Sequence, residues 1–208
     1  PIEQFAAIPL TEYRHYRKWF RAPEAPVAKG VLPNVSVAKA PDYSYDPAAD
    51  VVIFLDEGAS LQENALAWVQ YTAAKNPNAA VFYGDYDETD ISGTLTPQYM
   101  ARFDRDFFYA SPRNSCAYAV KREKLEEAGG LDASEPAKHA ELWLRLLERN
   151  DDSNFIRLPH AIWHVVQQNG CHLTPTKLTE HFDRLDREVS IQPHTDKYGG
   201  PVIGAFNL

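Results

Sequence analysis

Asp50-Val51-Val52-Ile53-Phe54-Leu55-Asp56 is an unbroken apolar run, rich in β-branched residues and closed at each end by an acid. A strand with one wet face alternates apolar and polar residues. A continuous run of this length belongs to a strand covered on both faces, as in a parallel sheet. Downstream, Leu61, Ala65, Leu66, Val69 and Ala73 recur at helical spacing. Ser60 stands ahead of them with Glu63 three residues on, the pattern of a capping box, so a helix is expected from Ser60 to about Lys75. Asn76-Pro77-Asn78 stops it, and Ala79 to Tyr83 is a second buried strand. Strand, helix, strand in this order predicts a right-handed βαβ crossover and an α/β fold.

The next stretch, Gly84-Asp85-Tyr86-Asp87-Glu88-Thr89-Asp90, reads as an acidic loop at the carboxyl end of that strand, where open α/β sheets bind ligands. Cys116 to Val120 is a short strand, and Lys121 to Ala128 a helical turn or two capped by Gly129-Gly130. Pro136 to Arg149 is the clearest amphipathic helix, with Ala140, Leu142, Trp143, Leu146 and Leu147 to one side. Phe155 to Leu158 and Ala161 to Val165 are expected as two short strands around Pro159, and Thr176 to Arg187 as a last helix. Upstream, Thr11 to Arg21 has aromatic and basic residues at helical spacing. Pro23, Pro26, Pro33, Pro41 and Pro47 then mark an extended strap holding one strand, Leu32 to Ala38. The organisation expected is a leading helix and proline-rich strap over 1–49, an α/β domain over 50–175, and a helix and tail over 176–208.

Bulk properties exclude several classes. With 21 basic against 29 acidic residues the net charge is −8, spread along the chain, which disfavours nucleic acid as a partner. No run approaches the roughly 18 apolar residues of a membrane-spanning helix, so a soluble, cytoplasmic protein is expected. The two cysteines, Cys116 and Cys171, lack metal or disulfide spacing and are expected as buried thiols.

Five blocks, VVIFLDEGASL, VFYGDYDETD, SCAYAVKREKLEEAGGLD, AELWLRLLER and IRLPHAIWHVV, follow one another from Asp50 to His164. In order and spacing they resemble the second half of family 2 glycosyltransferases that build bacterial surface polysaccharides. The resemblance implies a GT-A fold, here a truncated, Rossmann-like mixed sheet with flanking helices, and a nucleotide-sugar held through a divalent metal. Only Val35-Ser36-Val37 stands for the family's opening strand, so roughly 60 residues of its nucleotide-binding half, two βαβ units, are missing from the pattern.

Carried onto this chain, the resemblance assigns the metal to Asp56, with Glu57 as substitute ligand and His164 near the diphosphate, since Mg²⁺ and Mn²⁺ want hard oxygen donors. Gly58 and Ala59 offer no side-chain oxygen where the family has further aspartates. The base falls on His139, where the family has an acid, or on Glu141; both can also be read as residues of a helix's first turn, with Glu141 at the positive dipole end and His139 solvated. Asp85, Asp87 and Tyr86 are the substrate-binding candidates, the carboxylates for sugar hydroxyls and the ring for stacking. His160 and His164, an even number apart on a strand, are expected on one face.

Three functions follow. One is a degenerate, non-catalytic glycosyltransferase-like domain, without a cofactor, that binds a glycan, a nucleotide-sugar or a protein partner. Another is an active glycosyltransferase of polysaccharide synthesis, dependent on Mn²⁺ or Mg²⁺. The third is a structural or assembly protein, docked on a protein partner or homo-oligomeric by way of its strap and first helix, since a fold alone does not fix function.

Overall fold

The computed structural model describes residues 22–27, 30–90, 92–110, 117–166, 173–195 and 201–207. The expected helix over 11–21, Cys116 and Cys171 lie outside them. In chain order the elements are β1 (Val35–Lys39), β2 (Val51–Leu55), β3 (Ser60–Leu61), α1 (Ala65–Lys75), β4 (Val81–Thr89), β5 (Leu95–Gln98), α2 (Arg105–Ala110) and β6 (Tyr118–Lys121). Then come α3 (Arg122–Glu127), α4 (Lys138–Leu147), a 3₁₀ turn at Asp152–Asn154, β7 (Phe155–Val166), α5 (Pro175–Arg184) and a separate hairpin of β8 (Ser190–Thr195) with β9 (Pro201–Asn207).

The main sheet runs β1-β2-β6-β4-β7-β3, with β5 paired to the far half of β4. β1 is parallel to β2 and β4 to β7, while β6 lies antiparallel between β2 and β4. β1, β2, β4 and β7 therefore point the same way and end at one common edge. This is the expected α/β class, a mixed sheet with flanking helices. The side chains of β2 are at most 4% exposed. Val52 and Phe54 join the core under α4, Val51, Ile53 and Leu55 the core under α1. Each such side chain contributes about 1.5–3 kcal/mol through burial, which explains the continuous apolar run.

Helix α4 is anchored by Trp143, whose fully buried ring meets Phe108 at 5.2 Å, Phe155 at 5.3 Å and Tyr118 at 5.5 Å. His139 lies one turn earlier on the same stripe, so the anchor also sets the histidine over the sheet. Gly129 and Gly130 take φ of +84° and +77°, the left-handed cap expected after α3.

Four local expectations are corrected. Ser60 is no helix cap: it pairs with His164 as strand β3, and α1 starts at Ala65. The strap explains why, because Asn64 at the N-cap spends its amide on the Ala22 carbonyl at 2.8 Å. The acidic loop is strand, since β4 continues to Thr89 and turns into β5 only beyond it. Asp85 and Asp87 can be buried because they meet Arg157 and His164 of β7. The two strands expected around Pro159 are one strand with a bulge, Gly84 pairing with Leu158 and Tyr86 with Trp163. That bulge inserts extra residues in β7 and separates His160 from His164. His160 packs with its ring tilted against Trp68 of α1, ring centroids 4.3 Å apart, whereas His164 faces Asp87 on the other side of the sheet.

The strap lies on α1, with Trp68 Nε1 donating to the Pro23 carbonyl at 2.8 Å and Gln70 to that of Pro33 at 3.0 Å. Among the described residues no helix is long and apolar enough to cross a membrane.

Candidate functional site

The edge at which the parallel strands end carries a pocket of about 610 Å³, inside the roughly 300–1,000 Å³ range of small-ligand sites. Its walls come from distant segments: Ala40, Pro41 and Tyr43 after β1, Asp56, Glu57 and Gly58 after β2, Ala133 and Lys138 before and at the start of α4, and Val166 at the end of β7. Gly58 has φ +76°, and a Cβ there would stand 2.9 Å from Val166 Cγ2, so only glycine lets the β2 turn meet the end of β7.

Asp56 is the hub. Its Oδ1 accepts a short hydrogen bond from the Tyr43 hydroxyl and another from His139 Nε2 at 2.9 Å, and lies 3.9 Å from Lys138 Nζ. On the far side of the imidazole, Nδ1 meets the Tyr118 hydroxyl at 2.8 Å. Burial pushes Tyr118 well above its ordinary value, so it stays a donor. With Nδ1 at that hydroxyl, Nε2 is the ring nitrogen that donates to Asp56. Burial alone raises the Asp56 carboxyl, but the bonds from His139 and Tyr43 and the charge of Lys138 outweigh it and hold it below its ordinary value. Burial likewise raises Tyr43, helped by the hydrogen bond to Asp56, so the phenol is no nucleophile.

Tyr43 reaches Asp56 from a left-handed backbone, φ +50°, which costs a non-glycine residue about 1–2 kcal/mol. The ring offsets this by packing edge-on against His139 at 5.7 Å and Phe54 at 6.1 Å, with Lys138 Nζ 5.4 Å above it.

The remaining sequence candidates lie elsewhere. Glu141 faces α5, with Arg184 at 3.5 Å and Arg145 at 3.9 Å; burial raises its pKa, and these cations, with Lys177, only partly oppose that. Asp85 accepts both Arg157 Nη2 bonds, 2.7 Å each, and the Met100 amide at 2.8 Å. Asp87, 1% exposed, is hydrogen-bonded to His164 Nδ1 across the β4–β7 pair. Tyr86, 2% exposed, packs in the core on the α1 side. Of the candidates, only Asp56 and Glu57 line the pocket, and His139 supports it from behind at 3% exposure. Buried and bonded at both nitrogens, His139 is not the solvated first-turn residue that sequence reasoning allowed.

These residues do not fit the metal that the resemblance implies. Asp56 has Oδ1 committed to two internal donors and an ammonium beside it, which leaves one carboxylate oxygen where a metal needs several ligands, and His164 is turned to Asp87. Among the described residues no group of three or more His, Cys, Asp or Glu side chains converges as a metal site. Sequence reasoning missed Tyr43, Tyr118 and Lys138. Lys138 carried a faint signal, standing just before His139 on the stripe that continues through Trp143; Tyr43 carried none, being one of two tyrosines in the strap.

No family model and no curated protein matches the sequence. Among solved structures, the chain is similar to GalNAc-T7 crystallised with UDP, GalNAc and Mn²⁺, at 12% identity and a TM-score of 0.43. The match covers 66% of this chain, but the chain spans only 32% of that one.

Proposed function

We propose that this chain is a glycosyltransferase-like domain, related to family 2 and of the GT-A kind, that binds carbohydrate at its carboxyl-edge pocket without catalysing transfer. The block pattern from Asp50 to His164 supports the relationship and, with it, a role in bacterial surface-polysaccharide synthesis; a place in the cytoplasm is part of the same proposal. One observation carries the non-catalytic reading: the strand-end carboxylate that the resemblance gives to the metal is bonded inside the protein, to Tyr43 and His139. The base positions support it too. His139 is a buried positioning residue whose Nε2 proton is engaged by Asp56, and Glu141 is paired across α4 and α5.

Titration with Mn²⁺ alone, and an assay for nucleotide release from UDP-, GDP- and dTDP-sugars with Mn²⁺, tests the reading. The expected results are no saturable metal binding tighter than about 1 mM and no release above the protein-free control. Mn²⁺-dependent release that disappears in Asp56→Asn overturns it in favour of an active metal-dependent transferase.

A further inference from the structure

The two oxygens of Asp56 are used unequally. Every contact that the described residues make with this carboxylate falls on Oδ1: the Tyr43 hydroxyl, His139 Nε2 and, at 3.9 Å, Lys138 Nζ. Oδ2 belongs to a residue that lines the pocket and has no hydrogen-bond partner among the described residues. The carboxylate is thus locked from behind and offers a rigid acceptor, already ionised, to whatever enters. Lys138 also lines the pocket, its side chain 20% exposed, and carries donors beside that acceptor. An acceptor and a donor side by side match a hydroxyl group, which gives one hydrogen bond and takes another. Adjacent ring hydroxyls of a sugar would satisfy both at once.

Charge separates a neutral sugar from a sugar nucleotide. Among the described residues of the lining, the ionised Asp56 carboxylate stands beside Lys138, in a chain of net charge −8. A doubly charged diphosphate placed there without a metal meets repulsion on both the local and the global scale. The rest of the wall suits the C–H face of a pyranose: Pro41 and Ala133 are exposed, and Val166 is 38% exposed at the end of β7.

We propose that the carboxyl-edge pocket takes a neutral pyranose of a glycan chain, its hydroxyls held between Asp56 Oδ2 and Lys138 Nζ, and rejects the diphosphate of a nucleotide-sugar. The proposal rests on the carbohydrate-binding reading above and narrows its ligand class.

Amide spectra of the ¹⁵N-labelled full chain in EDTA test it, with neutral gluco-, galacto- and manno-hexasaccharides on one side and UDP and UDP-glucose on the other. At least one neutral hexasaccharide should saturably shift the amides of Ala40, Gly58 and Ala133, while UDP and UDP-glucose leave them in place. Ala133→Trp, at an exposed position that fills the pocket without touching the core, should weaken the hexasaccharide at least tenfold. Lys138→Met should weaken it about tenfold, the scale of one hydrogen bond to a charged group. Asp56→Asn, which can place an amide donor where Oδ2 accepts, should do the same. Saturation of these amides by UDP-glucose but not by UDP, without a hexasaccharide response, overturns this proposal and leaves the carbohydrate-binding reading standing, whereas saturation by UDP without a hexasaccharide response overturns both. Silence from every probe overturns both. Hexasaccharide binding unchanged in Ala133→Trp puts the site elsewhere and overturns both the proposal and the placement of carbohydrate at this pocket.

Discussion

His139 on α4 and His181 on the neighbouring α5 are wired alike, yet only one of them serves a pocket. His139, 3% exposed, joins the Tyr118 hydroxyl to Asp56; His181, 0% exposed, joins the Tyr109 hydroxyl at 3.1 Å to Glu148 at 3.0 Å. The difference lies in the carboxylate. Glu148, just past the end of α4, spends Oε1 on His181 and on Arg184 Nε at 2.7 Å, and has Arg149 3.6 Å from Oε2. Both oxygens are occupied, and the unit clamps α5 to α4. Asp56, at a strand end, gathers its partners on Oδ1 and leaves Oδ2 to the pocket. The same tyrosine, histidine and carboxylate therefore make a clamp between two helices and a prepared acceptor at a sheet edge.

The largest expected effect is at His139. His139→Ala removes a buried donor to Asp56 and strands the Tyr118 hydroxyl, so urea denaturation should show a loss of about 3 kcal/mol. His181→Ala should cost less, about 2 kcal/mol, because Arg184 still holds Glu148. A larger loss at His181 would break the comparison. Next, Tyr43→Phe takes away the bond that draws the strap onto Asp56, at about 1.5 kcal/mol, the lower end for a hydrogen bond to a charged group. Faster hydrogen exchange should then appear at the amides of Ala40 and Tyr43, which donate to the Leu55 and Lys39 carbonyls, and not along α5. Exchange rising equally in both regions would mean that the two units are not independent.

A third contrast is in pH. Burial lowers the His181 pKa, and Glu148 only partly restores it against the opposing charges of Arg184 and Arg105. An unfolded histidine, with its ordinary value of 6.5, takes up a proton before the folded one does. Stability should therefore fall as pH drops below 6.5, by at most about 1.4 kcal/mol per pH unit for one proton. Chemical denaturation between pH 7.5 and 5.5 should show a shallower slope in His181→Gln, and identical slopes would refute this account. The smallest effect is expected from Gly58→Ala, about 1 kcal/mol from the left-handed backbone and the Val166 contact. Its amide shifts should be confined to the pocket rim.

Much of the scaffold could be read in advance. The β2 run, the body of α1, the start of β4, the stripe of α4 and the Gly129-Gly130 cap all follow from patterns spanning a few residues. The misreadings share one cause. Ser60 and Glu63 form a sound capping signature, but pairing with His164 and the strap's hold on Asn64 outcompete it. Asp85 and Asp87 read as a wet loop because nothing local announces Arg157 and His164, 72 and 77 residues away. His160 and His164 were assigned one face by a period that the β7 bulge interrupts.

By itself the sequence determined the class of fold and the strand that Asp56 closes, because hydrophobic period, caps and breakers act over one or two turns of chain. Only the tertiary structure decided what that strand end can do. Asp56 meets His139 across 83 residues and Tyr43 across 13, and both bonds depend on where the strap and α4 settle against the sheet. Side-chain chemistry was legible in every letter, but which oxygen of a carboxylate is spent and which is left open is a property of packing, and no local pattern encodes it.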